Sequence, residues 1–220
     1  DNITFPDASV QNTAPKAGMI NRIINGGMVV DQRNAGASVT PTANNTYIVD
    51  RWSVNITQAS KFSIQQKDGL ETGASNYESG SSPAGFKNSL KVTSASSYSV
   101  AVGDVFTTRQ PIEGLNLADL AWGTANAASV TLSFWVKSSL TGTFGGALQN
   151  SSVSRSYPFS YTISAANTWE QKLITIAGDT SGTWLTTNGV GVYVGFGLGV
   201  GSTYSGTAGT WAGADYRSAT

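Results

Sequence analysis

The sequence predicts an all-β protein, a two-sheet β-sandwich of jelly-roll type with one short helical turn, and three observations carry that prediction. Short runs of Val, Ile, Phe and Tyr recur between stretches of Gly, Ser, Thr and Asn, the composition of half-buried strands joined by turns. Val130, Leu132, Phe134 and Val136 alternate with Thr131, Ser133, Trp135 and Lys137, a strict period of two. Only Ile112 to Trp122 reads as helical, for a turn or two from Leu115 to Leu120. A chain of 220 residues suffices for one well-buried core, so a single domain is expected over 17–220, preceded by a stalk-like connector over 1–16.

Taken in order, Ile3 to Phe5 is too short to bury anything alone and reads as a connector, or as a strand that completes itself against another chain. Ile20 to Val30 reads as the first real strand, with Asn25-Gly26-Gly27 as a bulge. Asn34 to Asn45 is a loop, and Tyr47 to Ile56 a strand placing Ile48, Trp52, Val54 and Ile56 on the core face. Lys61 to Gln65 is a brief strand, Asp68 to Lys87 a long polar loop, and Ser89 to Ser94 a strand with Leu90 and Val92 inward. Further strands are expected at Asp104 to Gln110, Ser129 to Lys137, Phe159 to Ser164, Trp169 to Ala177 and Val190 to Gly201. In the last of these, Val190, Val192, Val194, Phe196, Leu198 and Val200 form a hydrophobic row, while Gly dominates the other face, so something should pack closely there. Its glycine spacing does not match G-x-G-x-x-G and no helix follows, which excludes a phosphate loop.

Composition also bounds function. Thirteen basic and thirteen acidic residues give a net charge of +0, which supplies no field for nucleic acid or an anionic membrane. No apolar run approaches membrane-spanning length, and the opening DNITFPDASVQ lacks the parts of a signal peptide. The chain contains no Cys and no His, which removes disulfides, thiolate metal sites, the usual base of Ser and Cys hydrolases and the commonest transition-metal ligand. A chain that opens on Asp reads as a processed product or an excised fragment.

NRIINGGMVVDQRNAG and YIVDRW, followed by NSLKVTS, IEGLNLADLAWGTANA, VTLSFWVKSSLTGTFGG, RSYPFSYTI, NTWEQKLITIAGDTSGTW and GTAGTWA, resemble the C-terminal domains of bacteriophage tail-fibre and related virion proteins. The likeness covers nearly everything from Ala17 onward, and ITFPDASVQNTA is similar to segments that end trimeric fibre stalks. The wider pattern is similar to jelly-roll carbohydrate-binding modules. The resemblance implies a virion protein that assembles as a homotrimer, contacts other virion proteins and takes part in attachment to host-surface glycan. Such domains usually run past the region of Asp215 to Thr220 into a final strand that closes the sandwich, so this chain is expected to stop before it.

Trp135 is the leading ligand-binding candidate, because alternation turns it away from the core beside Thr131, Ser133 and Lys137, and indoles stack on sugar faces. Coverage by a loop or a neighbouring subunit is the competing account. Tyr193, on the non-core face of its strand, joins it, and Tyr77, Tyr98, Tyr204 and Trp211 fall in loop-like stretches where recognition or plain loop packing would place them. Glu71, Glu78, Glu113 and Glu170 show no local pairing of the glycosidase kind. Asp31 and Asp50 are candidates for a structural Ca²⁺, against the simpler reading of turn caps or an ion pair with Arg51 or Arg33. The sequons at Asn44, Asn55 and Asn150 are chance matches in an Asn- and Thr-rich chain. The expectation is therefore a non-enzymatic attachment domain without cofactor, metal or membrane insertion. The alternatives are a capsid-decoration or tail-adaptor protein and, behind them, a carbohydrate-binding module of an enzyme or a depolymerase.

Overall fold

The computed structural model describes residues 3–4, 10–11, 20–69, 78, 80 and 82–220. Two short strands, β1 (Ile3–Thr4) and β2 (Val10–Gln11), pair with each other. The body is built from β3 (Tyr47–Val49), β4 (Trp52–Ile56), β5 (Phe62–Asp68), β6 (Asn88–Ser94), β7 (Val105–Glu113) and β8 (Val130–Val136). It continues with β9 (Gly142–Asn150), β10 (Ser156–Ile163), β11 (Glu170–Ile176) and β12 (Val190–Val200), then the short β13 (Ser205–Gly206) and β14 (Ser218–Ala219). The helical turn expected at 115–120 is present as two consecutive 3-10 turns, Gly114–Asn116 and Ala118–Leu120.

One layer of the sandwich is an antiparallel six-stranded sheet in the order β10-β9-β12-β7-β4-β3. The second layer is split into two separate ribbons, β5-β6 and β8-β11. Both pack on the same face of the large sheet. Leu132 and Ile176 of one ribbon meet Ile112, Leu148, Phe159, Val192 and Val194, and Phe62 and Ile64 of the other meet Val54, Ile56 and Phe106. Phe196 of β12 touches both clusters. Apolar burial on this scale, at roughly 25 cal/mol per Å² of apolar area removed from water, is the main source of stability in a chain without disulfides.

Several expectations are corrected. The segment 20–30 forms no strand: Asn25 and Met28 both adopt φ of 53° and Met28 N–H bonds the Asn25 carbonyl, closing a turn. The Asn25 amide then pins the loop by donating to the Val30 and Asp50 carbonyls and accepting from Val30 N–H. Side-chain bonding of this kind offers the backbone an alternative to a ladder, and Asn tolerates the left-handed region. Ile24 is consequently exposed, and Ile23 is the residue that packs on the core. The stretch 47–56 is a hairpin rather than one strand, broken at Arg51, whose φ is 74°. Its core assignments survive because Ile48, Trp52, Val54 and Ile56 are all buried, together with Val49. Sequence reading gave no strand at 142–150, where β9 runs through the middle of the large sheet.

The bare face of β12 is covered, as its glycines require. The C-terminal segment crosses that face: a Cβ on Gly197 would sit 2.9 Å from Ser218 Oγ, and one on Gly145 of β9 only 2.5 Å from the same atom. Ser218 thus seats in a hollow that alanine would fill. The hydrophobic row opposite buries Val192 and Val194, whereas Leu198 near its end is exposed.

Candidate functional site

The split in the second layer leaves a cleft of about 870 Å³ between β6 and β8. That is the size range of small-molecule and oligosaccharide sites, about 300–1,000 Å³. Consecutive residues of each strand line it, Ser89 to Val92 on one side and Leu132 to Lys137 on the other. A strand showing only its face would contribute every second residue, so here the backbone edges themselves border the cleft. Trp52, Thr108 and Phe196 of the large sheet form the floor, and Ile23 and Met28 of the pinned loop close one side.

Two buried polar atoms in that floor, Trp52 Nε1 and Thr108 Oγ1, have no hydrogen-bond partner among the described residues. Buried groups of this type normally find one. Tyr161 lines the cleft as well, and burial pushes its phenol up to about 12. A raised folded-state value means that its contribution to stability is complete below the ordinary tyrosine pKa near 10 and is lost as pH rises through about 12. Ultraviolet titration should show a tyrosine ionising late. Its absence in Tyr161→Phe assigns it, and a wild-type titration with every tyrosine near 10 would contradict a dry cleft wall.

The mouth of the cleft carries the aromatic candidates. β8 and β11 pair with Trp135 opposite Gln171 and Ser133 opposite Leu173. One step further along the same register Lys137 meets Trp169, with Nζ 5.2 Å from the indole centroid. Trp135, 38% exposed, and the half-buried Trp169 therefore share the outward row of one ribbon and both line the cleft. Sequence reading found Trp135 by alternation. It missed Trp169, because only the register of β8 on β11 brings the two together.

The other candidates lie elsewhere. Tyr193 is on the opposite face of the large sheet, where the Arg109 guanidinium stacks at 4.3 Å. Tyr204 is nearby under Arg217, 5.0 Å away, which pairs with Asp215 and bonds Asn55. Tyr98 donates to Asp104 at 2.7 Å, lies under Lys61 and borders a smaller recess of about 340 Å³. Trp211 belongs to a cluster of rings with Trp122, Trp184 and Tyr157, at centroid distances of 5.2–5.5 Å, and donates to the Ala177 carbonyl. Tyr77 and Glu71 fall outside the described residues.

The acids are engaged locally. Glu78, Glu113 and Glu170 are held below the ordinary carboxylate range chiefly by hydrogen bonds from Lys91, Arg51 and Lys172 respectively. Asp31 accepts from the Asn34 and Gly36 amides and Asp50 from the Gln32 amide, so both cap turns. Among the described residues no group of three acidic side chains could hold a metal ion, and no helix is long and apolar enough to cross a membrane.

No family profile and no curated protein matches the chain. Among solved structures it is similar to the enzymatically active domain of tailspike protein 4 of bacteriophage CBA120, at a TM-score of 0.43 and 13% identity. The match covers 87% of this chain and 20% of that one, and a likeness this shallow carries no argument about chemistry. The expectation of a non-enzyme is withdrawn, the matched tailspike domain being an enzymatically active one. The absence of His and Cys excludes particular nucleophiles and bases, and thirteen acidic residues remain.

Proposed function

We propose that this chain is a distal domain of a bacteriophage tail, of fibre or tailspike type, that engages host-surface glycan at the mouth of the cleft and does so as a homotrimer. The observation that carries the reading is the row in which Trp135, Gln171, Lys137 and Trp169 stand side by side on β8 and β11 at the rim of a polysaccharide-sized cleft. Indole faces supply apolar area against sugar rings, and the amide and ammonium supply donors. The sequence resemblance from residue 17 onward supports the virion setting. Three copies per assembly would multiply weak contacts through effective concentration.

Glycan arrays and calorimetry on the purified chain test this. Trp135→Ala and Trp169→Ala should each weaken binding about tenfold, since base-rate stacking contributions of roughly 0.5–1.5 kcal/mol add to lost contact area. Among the described residues the Trp135 indole makes no hydrogen bond, and the ladder bonds of its backbone survive the substitution, so its variant should melt with the wild type. Unchanged glycan binding in both variants would overturn the assignment of the site. Light scattering of a stable monomer would overturn the trimer, and following polysaccharide length in the same samples reads whether the cleft only holds its ligand or also cuts it.

A further inference from the structure

Two lysines from adjoining strands meet one carboxylate at the cleft, and a third lies beside the same stretch of chain. Lys91 of β6 reaches Glu78 at 2.6 Å, and Lys67 of β5 lies 4.0 Å from the same oxygen. Lys137, just beyond β8, donates to the Gly80 carbonyl at 3.0 Å while lying over Trp169. Trp169 Nε1 donates to the same Gly80 carbonyl, so the indole and the lysines sit around one short piece of chain. Among the described residues lining the cleft, Glu78 is the one acid, beside three lysines. Its side chain is 35% exposed and comes from the loop between β5 and β6, not from the strands that carry the cations. Its carboxylate thus pairs with cations that the strands carry. Beneath the same cleft lie Trp52 Nε1 and Thr108 Oγ1, buried and without a hydrogen-bond partner among the described residues.

We propose that the cleft selects carboxylated sugars, with a hexuronate unit of an acidic polysaccharide stacking on Trp169 and its carboxylate replacing that of Glu78 between Lys91 and Lys67. The inference rests on the glycan-binding reading above and specifies its ligand. Glu78 acts as an internal competitor: it keeps the lysines paired in the free chain, so neutral sugars gain nothing from them, while an acidic unit must displace it. A point-charge pair of lysines accepts a carboxylate without demanding one geometry, which suits a polymer presenting the same group at every repeat.

Calorimetry with galacturonate and hyaluronate oligomers, each beside its neutral methyl ester, tests this on the whole chain. The acids should bind about tenfold more tightly than the esters at low salt, with the preference shrinking as ionic strength rises because exposed charges are screened over about 8–10 Å. Glu78→Gln should tighten binding of the acids severalfold and leave the esters unchanged. Lys91→Met and Lys67→Met should abolish the preference. Equal binding of acid and ester, or weaker acid binding by Glu78→Gln, overturns the proposal. If neutral glycans bind through Trp135 and Trp169 but uronates show no advantage, only the ligand class fails. If neither kind binds, the attachment reading fails with it.

Discussion

Replacing Arg155 by alanine is expected to cost about 3–5 kcal/mol, the range for removing one partner of a buried ion pair. Asp179 is 1% exposed and accepts from Arg155 Nε at 2.8 Å and Nη2 at 2.6 Å, a two-pronged contact that leaves the carboxylate no access to water. Arg155 stands at the entrance to β10 in the large sheet, and Asp179 follows β11 in the facing ribbon, so the pair fastens one layer to the other. The Asp179 carbonyl also takes the Gly123 amide and its side chain the Ser181 amide, so the loop from 178 to 184 depends on it. Urea unfolding measures the loss. Arg155→Lys should recover part of it, because the charge returns without the fork. Replacing both partners by apolar residues should cost less than Arg155→Ala alone, since no uncompensated charge remains. A loss below about 1 kcal/mol, the range of exposed pairs, would show that solvent reaches Asp179.

Phe159→Ala is expected to destabilise by about 3–5 kcal/mol through lost burial and the cavity left behind. The ring is 1% exposed and meets Phe196 edge-on at 5.8 Å, where the two core clusters join. It lies directly over Gly146 of β9, where a Cβ would come within 2.4 Å of the ring. That closeness invites a compensating Gly146→Ala, but the same Cβ would stand 2.3 Å from the Gly195 carbonyl oxygen, which is backbone and cannot yield. The double variant should therefore melt no higher than Phe159→Ala. Single domains retain about 5–15 kcal/mol in total, so either Arg155→Ala or Phe159→Ala removes a large share. A midpoint for Phe159→Ala within the error of wild type would mean that the site collapses around the deletion.

How far the fold could be read in advance depended on whether a segment carried its own signal. β8 was legible because its alternation is complete over seven residues, and Trp135 with it. β9 was not, because two of the three glycines in GTFGGALQN serve close contacts with Ser218, Phe159 and Gly195 that the segment itself does not announce. The converse error occurred at 20–30, where a hydrophobic run reads as a strand but the Asn25 side chain takes the hydrogen bonds that a ladder would need. The hairpin at 47–56 was hidden because Arg51 adopts a left-handed conformation usually left to Gly or Asn, where Glu113 holds its guanidinium. The lysines on Glu78 follow from the pairing of β5 with β6, and the shared row of Trp135 and Trp169 from the register of β8 on β11, so no local spacing encodes them.

The division of the second layer gives the molecule a mechanical property. Among the described residues no hydrogen-bond ladder crosses from β6 to β8, so the ribbons β5-β6 and β8-β11 are coupled through the side chains beneath them and through the bonds that Lys137 and Trp169 give to the Gly80 carbonyl. A continuous sheet fixes the spacing of its neighbours at about 4.8 Å, and nothing of that kind sets the separation here. Opening the cleft would therefore break no sheet ladder, only the side-chain packing below it and the two bonds to the Gly80 carbonyl.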